Sequence, residues 1–380
     1  MSRRPLRLVL VLAAPVLTLL ALRAFCCDVY RVDSGSMEPT LHGDPENGER
    51  VLVRYARNPR PARFDLVVLR RPGERAPFIK RVVGLPGERV QIQGGDLLID
   101  GARLPSTAPR PPLVAVFDPH AQSFAEEFRL DPQLWTETAA GWLLDDEPSD
   151  LRPGHGEACY RHQVTDGFPA ADGTLTRGLR EVGDVALESA VRLERAGGEL
   201  VWSVTEGGDR FEARCADGRV TLVRTERGPE EVLAEAAGGP QPGSWTHARL
   251  ANIDGVVSFD LGELHLQAAY QAVSVPEPRA DPAYRHLLPR ACLGGGGVRA
   301  TFAEVRLWRD LHYTELGTFA SAEPLELGPR EIFVLGDNSA GSADGREWGA
   351  VRLDQVIGFA EAVVWPPAQV RRLRPVAAGD

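Results

Sequence analysis

Apolar residues along the chain first run together and then alternate with polar ones. An uncharged apolar run, residues 8–22, follows Arg3, Arg4 and Arg7. It is shorter than the roughly 20 residues that span a bilayer. Arg23 can snorkel, however, and Ala24-Phe25-Cys26-Cys27 lengthens the apolar stretch. No pair of small residues stands at the spacing of a cleavage site, so residues 1–30 are expected to form an uncleaved transmembrane helix. The arginines ahead of the run place the N-terminus in the cytoplasm and the remainder outside.

Beyond the anchor the period becomes two. Segments 51–55, 64–70 and 78–83 read as strands, and Gly94-Gly95-Asp96 between two apolar triplets reads as a hairpin. Residues 31–112 are therefore expected to be the first part of an antiparallel β domain. Residues 331–335 and 356–365 read as strands of its second part, 315–380. Between them, segments 184–193, 199–204, 210–215, 219–224, 245–250, 256–261, 264–270 and 298–308 alternate. Gly-rich turns such as 196–198 and 294–297 punctuate them. That spacing predicts an inserted β-sandwich over 113–314, with Trp202, Trp245 and Trp308 in its core. The expected fold class is mainly β.

Composition narrows the chemistry. A net charge of −10 argues against nucleic acid as a partner. The cysteines are Cys26, Cys27, Cys159, Cys215 and Cys292, with no CxxC pair, and the eight histidines lack ligand spacing. No metal or other cofactor is expected. Cys159 could pair with Cys215 or with Cys292 if the domain is exported, and all three could equally be buried thiols.

The 43 basic residues include a single lysine, Lys80, inside the apolar run Phe78-Ile79-Lys80-Arg81-Val82-Val83. Arginine keeps its proton in a protein and cannot act as a base, whereas a buried lysine can. Upstream, Ser34-Gly35-Ser36-Met37-Glu38-Pro39 offers Ser36 as a nucleophile for that base, a few residues past the anchor.

Together with Ile79-Lys80-Arg81-Val82-Val83-Gly84-Leu85-Pro86-Gly87, and with a third block running from Gly336-Asp337-Asn338 to Trp348-Gly349, this loop resembles the bacterial type I signal peptidases. The resemblance covers about 1–112 and 315–380. It implies a signal-peptidase-type β catalytic domain and a serine endopeptidase using a Ser36/Lys80 dyad. It also implies an oxyanion hole from the Ser36 backbone N–H and the Ser34 hydroxyl, with Ser342 orienting the lysine. Arg81, Asp337, Asp344 and Arg346 match the supporting ion-pair scaffold. The third block departs from the family pattern, with Ser339-Ala340-Gly341 where Arg-Asp-Asn is common and Gly345 where Ser is frequent.

The insertion is similar to concanavalin-like jelly-roll modules, through the run from Gly243 to Leu250, Asp254-Gly255, and 298–307. The implied partners are signal-peptide-bearing preproteins, membrane lipid, and a carbohydrate or protein ligand of the insertion. The expected location is the bacterial inner membrane, crossed once, with the catalytic domain extracytoplasmic. A second reading keeps the scaffold and moves function to the sandwich, as an anchored binding module on an idle peptidase. A third, a self-cleaving Ser/Lys repressor, lacks a helix-turn-helix or a basic DNA face.

Overall fold

The computed structural model describes residues 26–105, 108–146, 156–169, 176, 178–225, 229–270 and 291–373. The expected anchor falls almost wholly outside them. Among the described residues no helix is long and apolar enough to cross a membrane. The chain divides into two compact units, one formed by everything up to Pro112 together with Tyr313 onward, the other by Leu113–His312. Both are mainly β.

The first unit is built on an antiparallel sheet. Its early strands are β1 (Cys27–Arg31), β2 (Arg50–Tyr55), β3 (Leu66–Leu69) and β4 (Phe78–Gly84). The order across the sheet is β1, β2, Val356–Trp365, β3, β4, Glu331–Leu335, Val351–Arg352. Thus two strands from the far end of the sequence slot in beside strands from its beginning. Their alternation is the reason: Val51, Val53, Leu66, Val68, Ala360 and Val363 make one buried cluster, and Val67, Leu69, Val82, Ile332, Val334 and Val351 another. Each face of the sheet covers its own core. β3 begins later than its apolar run suggests, because Phe64 has φ +70 and cannot continue a strand. The hairpin Arg89–Gln93/Asp96–Ile99 turns at Gly94 and Gly95, with Asp96 already on the strand.

The second unit is a two-sheet sandwich. One sheet runs Trp135–Thr138, Gly141–Asp145, Arg299–Arg309, Val185–Leu193, Trp245–Ile253, Val256–Leu261, Leu264–Ala269. The other runs Glu230–Ala237, Arg219–Thr225, Asp209–Ala216, Glu199–Glu206, Ala291–Gly296, Ala158–Tyr160, Phe128–Arg129. Trp202, Phe211, Phe259 and Phe302 fill the space between them. Trp202 is fully buried and gives its indole N–H to Ser189 at 2.9 Å. Trp245 does not join this core. It pairs in register with Arg192 on the outward face, stays 44% exposed, and carries the Arg192 guanidinium over its ring. Trp308 packs beside Ala186 and Ala251, outside the central cluster.

Residues 294–297 are likewise not simply a turn, since Gly294, Gly295 and Gly296 belong to the strand Ala291–Gly296. A Cβ on Gly294 would lie 2.2 Å from Gly156 O, and one on Gly295 2.1 Å from Glu199 O, so glycine permits neighbouring backbone to close in. Cys159 and Cys292 face each other across adjacent strands and form a disulfide, while Cys215 is a buried free thiol.

Candidate active site

The loop after β1 turns through a short 3-10 segment, Gly35–Met37, and points the buried Met37 into the core. Met37 and Leu41 anchor this turn from below, and Leu41 N bonds Met37 O at 2.9 Å. The turn leaves Ser36 half-buried and Ser34 exposed, their hydroxyl oxygens 3.4 Å apart. Asn338 ties the loop from the other side. Its N–H donates to Ser36 O at 3.2 Å and its Nδ2 to Gly35 O at 3.0 Å.

β4 carries Lys80 into contact with this loop. Lys80 Nζ lies 2.6 Å from Ser36 Oγ, and the lysine is 1% exposed. Burial pushes its ammonium down to about 8, against the opposing pull of Asp344 and Asp337, and Arg346 assists the lowering. The sign follows from desolvation, which penalises the charged form of a base. At that value an appreciable fraction of the amine is neutral near pH 8 and can accept a proton.

Two buried ion pairs stand behind the lysine. Arg81 grips Asp337 with Nε and Nη2 at 2.7 and 2.5 Å, reaches Phe64 O at 3.0 Å, and donates to Thr40 Oγ1 at 3.2 Å. Arg346 grips Asp344 through Nε at 2.9 Å and Nη2 at 2.8 Å. Asp344 also accepts from Gly336 N at 2.9 Å. Buried pairs of this kind add little net stability, but breaking one partner away is costly, so they hold geometry firmly. Gly336 must be glycine here, since a Cβ would meet Ser342 Oγ at 2.1 Å and Ser36 O at 2.5 Å.

The residues singled out from sequence therefore converge: Ser34, Ser36, Lys80, Arg81, Asp337, Asp344 and Arg346 share one site. Ser342 lies beside it, but its buried Oγ makes no hydrogen bond among the described residues, to Lys80 or to any other group. The expected orienting bond is not made; Lys80 is held by Ser36 and by its burial instead. Asn338, Thr40, Thr314 and Ser339 belong to the site's frame and were not anticipated. Asn338 and Ser339 sit within the third block, where Ser339 stands out only as a departure from the family pattern and Asn338 not at all.

Comparison with known proteins agrees with the motifs. The family model "Signal peptidase, peptidase S26" matches residues 6–127 and 301–365, split around the insertion. Signal peptidase I of Leptolyngbya laminosa is 39% identical over 100 residues, covering 23% of this chain and 47% of that protein. Signal peptidase I of Bacillus licheniformis is 37% identical over 98 residues, covering 25% and 49%. The chain thus spans about half the length of the curated relatives it matches, and its resemblance to type I signal peptidases is borne out. Among solved structures, a carbohydrate binding module, CBM66, from Bacillus subtilis aligns at TM-score 0.31 and 13% identity, over 46% of this chain and 90% of that one. A Bacillus subtilis protein of unknown function with a galectin-like fold aligns at 0.36 and 10%, over 53% and 98%.

Proposed function

We propose that this chain is a membrane-anchored serine endopeptidase that removes signal peptides from exported preproteins through a Ser36/Lys80 dyad. The observation that carries the reading is the 2.6 Å approach of a buried lysine amine to the Ser36 hydroxyl, with that amine pushed down to about 8. Neutral Lys80 takes the Ser36 proton as Oγ attacks the scissile carbonyl. The oxyanion that forms is met by the Ser36 backbone N–H and the Ser34 hydroxyl. The protonated lysine then gives its proton to the leaving amine. Once neutral again, it activates the water that hydrolyses the Ser36 ester. Arg81 with Asp337 and Arg346 with Asp344 keep the lysine's surroundings fixed through the cycle.

The substrate has an edge to bind. β4 is paired with β3 along Phe78–Arg81, but with Glu331–Leu335 only from Arg81 to Gly84. On that second side Phe78, Ile79 and Lys80 have no strand partner among the described residues. An extended peptide added there brings its carbonyl to Ser36.

Three arginines ahead of the apolar run favour a cytoplasmic N-terminus, and the Cys159–Cys292 disulfide favours an oxidising compartment for the rest of the chain. This supports a single-pass inner-membrane protein with its catalytic unit outside. The dyad geometry favours the peptidase over an idle scaffold bearing a binding module.

The test is preprotein cleavage by the full chain in detergent and by its Ser36→Ala variant. Mature protein should accumulate with the first and not with the second. Normal cleavage by a folded Ser36→Ala variant would end the serine-protease reading.

A further inference from the structure

Arg346 is 2% exposed, so every guanidinium N–H needs a protein acceptor. Asp344 takes Nε and one N–H of Nη2. The second Nη2 hydrogen goes to Ser339 O at 2.6 Å. Nη1 turns to Ser339 Oγ at 2.7 Å and to the backbone O and Oγ1 of Thr314, the former at 3.1 Å. The two acceptor residues are also bonded to each other, Thr314 N donating to Ser339 Oγ at 2.8 Å. Thr314 is fully buried and Ser339 is 7% exposed, so no solvent stands in for a missing partner.

We propose that Thr314 and Ser339 are positioning residues for the Ser36–Lys80 site: their hydroxyls and carbonyls complete the acceptor set of Arg346 and hold it against Asp344. Neither touches the reacting atoms. They act through Asp344, which receives the Gly336 N–H beside the Ser36 carbonyl, and through the charges that face Lys80. Those charges are Asp344 and Arg346 from the segment after Ser342 and Asp337 from just beyond Glu331–Leu335, the last held in turn by Arg81 of β4. Ser339 supplies a short acceptor in the loop that follows Asp337. Thr314 is the second residue after the sandwich ends at His312, so the returning chain enters this contact at once. The inference rests on the Ser/Lys reading.

The sign of the effect is fixed. Without Thr314 and Ser339 hydroxyls, Nη1 loses acceptors and Arg346 relaxes away from Asp344. Asp344 is then less neutralised and the Arg346 charge is farther from Lys80. Both changes favour protonated Lys80, so the pH–rate midpoint should move upward. The test compares Thr314→Val, Thr314→Ser and Ser339→Ala with wild type in preprotein cleavage across pH. Thr314→Val and Ser339→Ala should lower kcat on the order of tenfold to a hundredfold with KM unchanged and a raised midpoint. Thr314→Ser, which keeps the hydroxyl, should restore both values. Wild-type kcat and midpoint in Thr314→Val and Ser339→Ala would overturn the proposal. So would equal impairment in Thr314→Ser and Thr314→Val, which would make shape the cause. If Thr314→Val fails to fold, Ser339→Ala alone decides by the same two readings. Ser36→Ala run alongside keeps the two ideas apart, since its full activity would remove the dyad itself.

Discussion

Replacing Lys80 with methionine should make the protein inactive and, at neutral pH, more stable. The lysine falls from 10.5 to about 8 in the folded chain, chiefly through burial. At about 1.4 kcal/mol per unit, this corresponds to about 3 kcal/mol of stability lost at any pH below 8. Because the folded value lies below the unfolded one, the unfolded chain binds more protons between pH 8 and 10.5. Stability should therefore rise with pH through that window and level off above it. Lys80→Met fills a similar volume without a charge, so it should gain about 3 kcal/mol at pH 7 and lose the advantage by pH 10.5. Pulse proteolysis in urea at several pH values, scored on peptides from residues 60–90, reads this unit separately from the sandwich. A Lys80→Met protein that is less stable at pH 7, or a difference that does not change with pH, would refute a buried lysine held at a lowered value.

Lys80→Arg keeps the charge but not the base, so cleavage should fall by several orders of magnitude at every pH, whereas a retained rate would return Lys80 to a structural role. The wild-type rate should rise with pH through one group near 8, because the neutral amine is the active form, and a flat profile between pH 6 and 10 would contradict this. Cys159→Ser with Cys292→Ser opens a link of sequence separation 133 and should cost the sandwich roughly 2–5 kcal/mol in a denaturant melt, with preprotein cleavage retained. Protease added outside spheroplasts should digest the catalytic unit, and full protection until lysis would reverse the proposed topology.

Much of this was legible in the one-dimensional pattern. Alternation is a local property, and it announced most of the long strands because each needs one face in a core. The lone lysine marked Lys80 as the proposed base, because every other Lys or Arg position holds arginine, which keeps its proton. The order of the three blocks announced a unit interrupted by an insertion, and the chain divides in that way. What alternation cannot convey is which strand lies beside which. Glu331–Leu335 pairs with β4, and Arg81 reaches Asp337 across 256 positions, only because both faces of that sheet close on shared cores. Short strands such as Phe128–Arg129 and the glycine strand Ala291–Gly296 carry no periodic signal and exist because longer neighbours offer them hydrogen bonds. Register sent Trp245 outward, opposite Arg192, although a tryptophan in an alternating segment was expected in the core. The disulfide partner of Cys159 was decided by which strand packs next to it. The Arg346 cage was the least visible of all: a serine, a threonine and two carbonyls matter there because the guanidinium is buried, and burial is a property of the assembled fold.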